Sequence, residues 1–150
     1  MSDILAICVD ASVVVKLLVR EAESEHAVAL IRIARDRGDR LVAPSLMRYE
    51  VASSLWQKTR RGLLERDDAQ TAFDRIAVYP IQFLISGELV HRAWRLAQRL
   101  ALPSMYDAQY LAVAENQGCP LWTADRRLAE AAAAWPGEIR LLGRDATSDV

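Results

Sequence analysis

The chain predicts an α/β fold, a central, mainly parallel sheet of five short strands with helices packed on both faces. Three observations carry that prediction. Short apolar, β-rich runs recur from end to end, and longer segments with helical periodicity separate them. That alternation is what a parallel sheet requires, because parallel strands are joined only by crossover connections. The first run, I-L-A-I-C-V, is apolar at every position, as suits a strand covered on both faces.

Taken in order, residues 4–9 form the first strand and stop at Asp10. Residues 11–19 are apolar enough for a short buried helix, although Val13, Val14 and Val15 are β-branched and suit a strand as well. Residues 21–38 read as an amphipathic helix with Ala27, Leu30, Ile31 and Ala34 on one stripe and Gly38 at its stop. Residues 40–43 give the second strand, and Pro44 opens a helix running to about Arg61, since proline is preorganised for a first helical turn. Residues 65–79 are helical with Ala69, Ala72, Phe73 and Ile76 inward, until Pro80 ends them. After a third strand at 81–85, Ser86 caps a helix reaching about Leu100, with Leu89, Ala93, Trp94, Ala97 and Leu100 on its inner face. Ser104 starts a further helix that Gly118 and Pro120 terminate, ahead of the fourth strand at 121–123. An Ala-rich helix at 125–134 stops at Trp135-Pro136-Gly137, and residues 139–142 make the fifth strand. One domain, residues 1–143, accounts for all of this; residues 144–150 are a polar tail expected to be loose.

Composition narrows the function. With 150 residues, 52% hydrophobic and 26% charged, the chain can bury a substantial core and is not a disordered one. A net charge of -1 gives no electrostatic footprint of a duplex-DNA binder, but leaves room for a nucleic-acid enzyme with a local positive rim. Lys16 and Lys58 are the only lysines, so nearly all positive charge is arginine, the better phosphate fork. The N-terminal apolar run is too short for a signal peptide or a membrane span. Cys8 and Cys119 lie in apolar, strand-like surroundings and read as reduced core residues of a cytoplasmic protein; a disulfide or metal pair is the lesser alternative. His26 and His91 fall in helices away from the acidic motifs and read as ordinary surface or packing residues.

Four acids are the candidate site residues, and each alone has a plain structural reading. Asp10, in V-D-A-S-V, suits a helix N-cap, with Ser12 beside it to bond a carboxylate or shape the turn. Glu50 lies on a half-polar helical face with Ser53 and Ser54, small residues that would let another segment approach closely, and by itself reads as solvated. Asp107 fits a capping box with Ser104, yet on a helical wheel it shares the face of Tyr110, Leu111 and Ala114, where a carboxylate is costly unless something positive meets it. Asp125 can cap the next helix or pair with Arg126 and Arg127. Together they say more. Asp10 and Asp125 both follow apolar strands and so fall at the carboxyl edge of the sheet, where ligands of such folds bind. Two bare carboxylates about 4 Å apart repel by roughly 4 kcal/mol at an effective dielectric near 20, a cost relieved by protons or cations. Without His-rich or Cys-rich spacing, all-oxygen ligation points to Mg²⁺ or Mn²⁺ rather than zinc.

The motifs V-D-A-S-V, Y-E-V-A-S-S-L, Y-D-A-Q-Y-L-A-V-A-E and T-A-D-R-R-L, in that order and covering almost the whole chain, resemble the PIN-domain family, and within it the stand-alone ribonuclease toxins of the VapC type. The resemblance implies a three-layer α/β/α sandwich, with Asp10, Glu50, Asp107 and Asp125 as the family's acids and Ser12 and Thr123 as its supporting hydroxyls. Asp10, Asp107 and Asp125 are then the principal metal holders, and Glu50 holds metal or orients the attacking water. Ser53 departs from the asparagine that relatives often carry there. The implied activity is metal-dependent endoribonuclease cleavage of a phosphodiester by activated water. Arg126 and Arg127 are the first candidates for RNA contact, ahead of Arg48, Arg60 and Arg61.

The same resemblance implies a small cognate antitoxin protein, for which the amphipathic helices at 21–37 and 44–61 would supply a groove, and a homodimer. The rival reading is a catalytically idle PIN-like RNA-binding or interaction module. A phosphoryl-transfer domain fits less well: Ser12 stands where one such class needs a second aspartate, and no lysine follows Lys58 as another requires.

Overall fold

The computed structural model describes residues 5–145. Five parallel strands, β1 (Ala6–Val9), β2 (Arg40–Pro44), β3 (Ile81–Leu84), β4 (Leu121–Thr123) and β5 (Ile139–Leu141), form one sheet in the order β3-β2-β1-β4-β5. Seven α-helices connect them among the described residues: α1 (Ala11–Leu18), α2 (Ser24–Arg37), α3 (Met47–Arg60), α4 (Arg66–Arg75), α5 (Gly87–Leu100), α6 (Met105–Gln117) and α7 (Arg126–Ala131). The chain builds outward from β1 to β2 and β3, then crosses back through α5 and α6 to add β4 and β5 on the other side. Parallel connections of this kind are right-handed, so reversing the direction of travel moves the connecting helices to the opposite face. Accordingly α6 lies over β1, β2 and β4 with α5 outside it, while α1 gathers α2, α3 and α4 on the other side.

The reversal makes a switch point between β1 and β4, where the loops after the two strands part and leave a crevice. Cys8 pairs with Leu121 and Val9 with Trp122, so the residues following both strands emerge side by side. The center of the sheet is dry: every residue of β1 and β4 is buried, and Trp122 is fully enclosed. That rigid floor fixes where Asp10 and Asp125 leave it.

Several sequence-based expectations need correction. Pro44 ends β2, opposite Leu84, instead of opening α3; a proline at a strand terminus has no ladder donor to lose. Phe73 is 45% exposed, because Ala72 takes the inward position on α4. Trp94 is likewise outward, and Leu96 is buried with Ala93 against the body of the protein. The helix expected at 65–79 is α-helical only to Arg75 and continues as a 3-10 turn at Ile76–Val78. At the C-terminal end, the Leu141 backbone N–H donates to Asp145 Oδ2 at 2.6 Å, which ties the start of the tail to β5; residues 146–150 lie outside the described residues. Both cysteines are free, Cys8 buried and Cys119 half-buried. No described helix is long and apolar enough to cross a membrane.

Candidate active site

At the switch point lies an open cleft of about 340 Å³, and Asp10, Glu50, Asp107 and Asp125 all line it. The elements that bring them there are separate: the end of β1, the first turn of α3, the first turn of α6 and the end of β4.

Asp10 stands at the N-terminus of α1 but does not cap it with its side chain. Its Oδ2 instead accepts hydrogen bonds from Ser12 Oγ at 2.5 Å and Thr123 Oγ1 at 2.9 Å. The same two hydroxyls accept backbone donors from the other strand's loop: Ala124 N–H to Ser12 Oγ at 2.9 Å, and Asp125 N–H to Thr123 Oγ1 at 3.0 Å. Ser12 and Thr123 therefore stitch the β1 and β4 loops together around one carboxylate. Asp10 is only 7% exposed, and burial pushes its carboxyl above the ordinary aspartate range; the two hydroxyl donors pull it back in part, while the Asp125 charge pushes it further up.

Asp125 does cap α7, accepting from Arg127 N–H at 2.9 Å and Leu128 N–H at 3.3 Å through Oδ1. Capping uses only Oδ1 and leaves Oδ2 for another partner, so the cap does not exclude Asp125 from a site. Arg127 bridges that Oδ2 and Asp107 Oδ2, at 3.2 Å each. Asp107 is buried, as its place on the apolar stripe of α6 implied. The capping box is not closed: Ser104 Oγ accepts from Tyr106 N–H, and the Asp107 carboxylate is met by Arg127 instead. Glu50 is not a solvated surface residue. Tyr110 Oη donates to its Oε1 at 2.7 Å, and burial raises its carboxyl to about 7, with the hydrogen bond pulling down and the charges of Asp10 and Asp107 pushing up.

Sequence reading missed Tyr110 as a site residue. Its signal was present: a tyrosine three residues after Asp107, on the same buried stripe, needs a partner for its hydroxyl. Of the expected RNA-facing arginines, only Arg127 lines the cleft. Arg126 is exposed, Arg60 and Arg61 lie exposed at the end of α3, and Arg48 stacks over the Phe83 ring at 4.1 Å.

The cleft lining offers the carboxylates of Asp10, Glu50, Asp107 and Asp125, a fifth at Glu21, and the hydroxyls of Ser12 and Ser54, with no His or Cys side chain. Such hard oxygen donors suit Mg²⁺ or Mn²⁺. As the side chains lie, no group of three or more metal-ligating side chains among the described residues is placed to hold an ion. Instead Arg127 bridges Asp107 and Asp125, and Tyr110 holds Glu50. A cation entering between the two aspartates has to displace the guanidinium.

The family model for the PIN domain matches residues 7–134, which contain all four acids. The chain belongs to the PIN-domain family. It is 35% identical to ribonuclease VapC3 of Pyrobaculum aerophilum over 128 residues, covering 84% of this chain and 94% of that one. It is 33% identical to ribonuclease VapC9 of Mycobacterium tuberculosis over 129 residues, 83% and 89% of the two chains. A solved structure from Pyrobaculum aerophilum superposes with a TM-score of 0.64 at 27% identity, covering 86% of this chain and 87% of that one. VapC20 of Mycobacterium tuberculosis, a sarcin–ricin loop cleaving toxin, superposes at 0.62 with 19% identity and 86% and 95% coverage, a likeness of fold. This PIN domain is thus a relative of the VapC ribonucleases, and PIN-domain ribonucleases depend on divalent metal.

Proposed function

We propose that this PIN domain is an endoribonuclease toxin of the VapC kind, hydrolyzing RNA phosphodiester bonds with Mg²⁺ or Mn²⁺ held by Asp10, Asp107 and Asp125. The observation that carries the reading is the meeting of four carboxylates from four elements in one cleft, within a chain related along most of its length to VapC ribonucleases. When bound, a divalent cation supplies a water of lowered pKa as nucleophile and charge for the leaving oxygen. The chain's own residues do the rest. Ser12 and Thr123 hold Asp10 Oδ2 in one orientation, and the α7 cap does the same for Asp125 Oδ1. With Glu50 Oε1 taken by Tyr110, Oε2 is the oxygen available to ligate or to orient water. Arg127, once off the aspartates, meets a substrate phosphate, a role that its position in the cleft lining supports.

The natural setting of such a toxin is the cytoplasm, where a small cognate antitoxin silences it, and the working form is a homodimer. The apolar groove offered for a partner helix lies between α3 and α4, about 330 Å³ with Leu55, Trp56 and Phe73 on its walls; α2 packs on α1 and does not form it with α3.

The test is expression with and without the adjacent small reading frame, followed by mapping of new RNA ends, and the same with Asp10→Asn and Asp125→Asn. Discrete metal-dependent ends that both substitutions abolish, with the fold intact by circular dichroism, are the expected result. Growth arrest without discrete cleavage would favor an idle interaction module.

A further inference from the structure

The only two lysines of the chain come from different helices and meet at one carboxylate. Lys16, on α1, donates to Glu21 Oε1 at 3.2 Å and to the Ala22 carbonyl at 2.9 Å; Lys58, on α3, donates to Glu21 Oε2 at 2.7 Å. Lys16, Lys58 and Glu21 line the same cleft as the four acids. Their side chains are 15%, 25% and 25% exposed, so the charged groups are drawn in beside the acids and not spread into solvent. Burial pushes the Glu21 carboxyl upward, but the two ammonium groups outweigh it and hold it below the ordinary range.

Charge accounting gives this wall a purpose. A notch of four carboxylates attracts a cation but repels a phosphodiester, so a polynucleotide entering it needs positive charge alongside. Arg127 is committed to two carboxylates, whereas two ammonium groups share one at Glu21. The lining as a whole carries five carboxylates against three cations, so its one local excess of positive charge sits at the wall between α1 and α3. Lysine acts on phosphate as a point charge with three donors, and Lys16 and Lys58 each retain donors beyond those used on Glu21 and Ala22.

We propose that Lys16 and Lys58 form a subsite for a backbone phosphate of single-stranded RNA next to the acid notch, with Glu21 as the internal carboxylate that the phosphate competes against. The subsite rests on the ribonuclease reading given above. The competing account is a tether that merely closes the turn between α1 and α2, where Glu23 adopts a left-handed φ of 69°.

The two accounts separate on the binding of a short, mixed-sequence, fluorescently labelled single-stranded RNA to the full chain, followed by anisotropy in chelator over a series of NaCl concentrations. Each phosphate contact on a single strand contributes about 0.7 to the slope of log affinity against log salt. Lys16→Gln and Lys58→Gln are each expected to flatten that slope by about that amount and weaken binding several-fold, while Lys58→Arg retains it. Glu21→Gln removes the tether without removing a cation, and is expected to bind the RNA more tightly. Unchanged salt slopes in both lysine-to-glutamine variants, with melting curves showing them folded, would overturn the subsite. If those variants melt early, Glu21→Gln decides: tighter binding supports the subsite, and unchanged binding refutes it. A wild-type chain that cuts RNA with Mn²⁺ while the lysine variants keep their slope loses only the subsite; one that neither binds nor cuts RNA loses the ribonuclease reading with it.

Discussion

Glu50→Gln offers a test of the electrostatics that does not depend on catalysis. Glu50 sits among Asp10 and Asp107 with its carboxyl carried from 4.5 to about 7, burial being the largest cause. A group whose folded pKa is raised stabilizes the fold below its unfolded pKa, and that contribution is lost as pH climbs through the folded value. For Glu50 the loss runs from about pH 4.5 to about pH 7, and above that the ionized side chain is a standing cost in the metal-free protein. At about 1.4 kcal/mol per pH unit the ceiling is about 3.5 kcal/mol. Glu50 is only partly withdrawn from water, so screening reduces this to about 1–2 kcal/mol. Glutamine keeps the shape and an oxygen for the Tyr110 hydroxyl, and removes the charge.

Urea unfolding in chelator at two pH values measures the effect. At pH 8.5, Glu50→Gln should be more stable than wild type by about 1–2 kcal/mol, with a melting point higher by about 2–8 °C for a chain of this size. At pH 4.5 the two should nearly coincide. Adding Mn²⁺ at the higher pH should stabilize the wild type more than the variant, since a cation removes the cost that the substitution removes. If the variant is equally destabilized at both pH values, Glu50 is held by packing and the Tyr110 hydrogen bond alone, and the repulsion argument for the cleft is wrong.

Other expectations follow from the same geometry. Thr123→Val keeps the shape of a fully buried side chain but removes the donor to Asp10 and the acceptor for Asp125 N–H; Mn²⁺ affinity by titration calorimetry should fall by about 10–100-fold, the range for lost ligand-orienting partners. Arg127→Gln releases Asp107 and Asp125 from their internal cation, so the same calorimetry should show Mn²⁺ binding several-fold more tightly, most clearly at low ionic strength. Leu30→Ala, remote from the cleft at the buried face of α2, should cost about 2–5 kcal/mol in urea unfolding while leaving Mn²⁺ affinity unchanged.

How far the sequence reveals this arrangement depends on what each residue is attached to. The five strands are legible because each is short, mainly apolar and bounded by breakers, and the parallel topology follows from the helices between them. Asp10 and Asp125 are legible as a pair for the same reason: a residue that ends a strand inherits its position from the sheet. Helical residues have no such anchor. Periodicity shows that Asp107 lies on an inward face of α6 but not that Arg127 meets it, and it leaves Glu50 looking solvated because half of its own face is polar. The partner groove expected from α2 and α3 meets the same limit, since an apolar stripe says that a helix is covered and not by which neighbor; both helices pack on α1, and α3 also packs on α4.

The lysines show that limit most sharply. Lys16 is the one charged residue in α1, whose other positions are apolar or small. A lone charge there signals a partner, yet the sequence cannot name it, because Lys58 lies far along the chain and reaches Glu21 only after α3 packs on α1. The charge of this cleft is thus a balance between carboxylates fixed by the sheet and cations delivered by helices. The sheet-borne half can be read from spacing, and the helix-borne half comes only from packing.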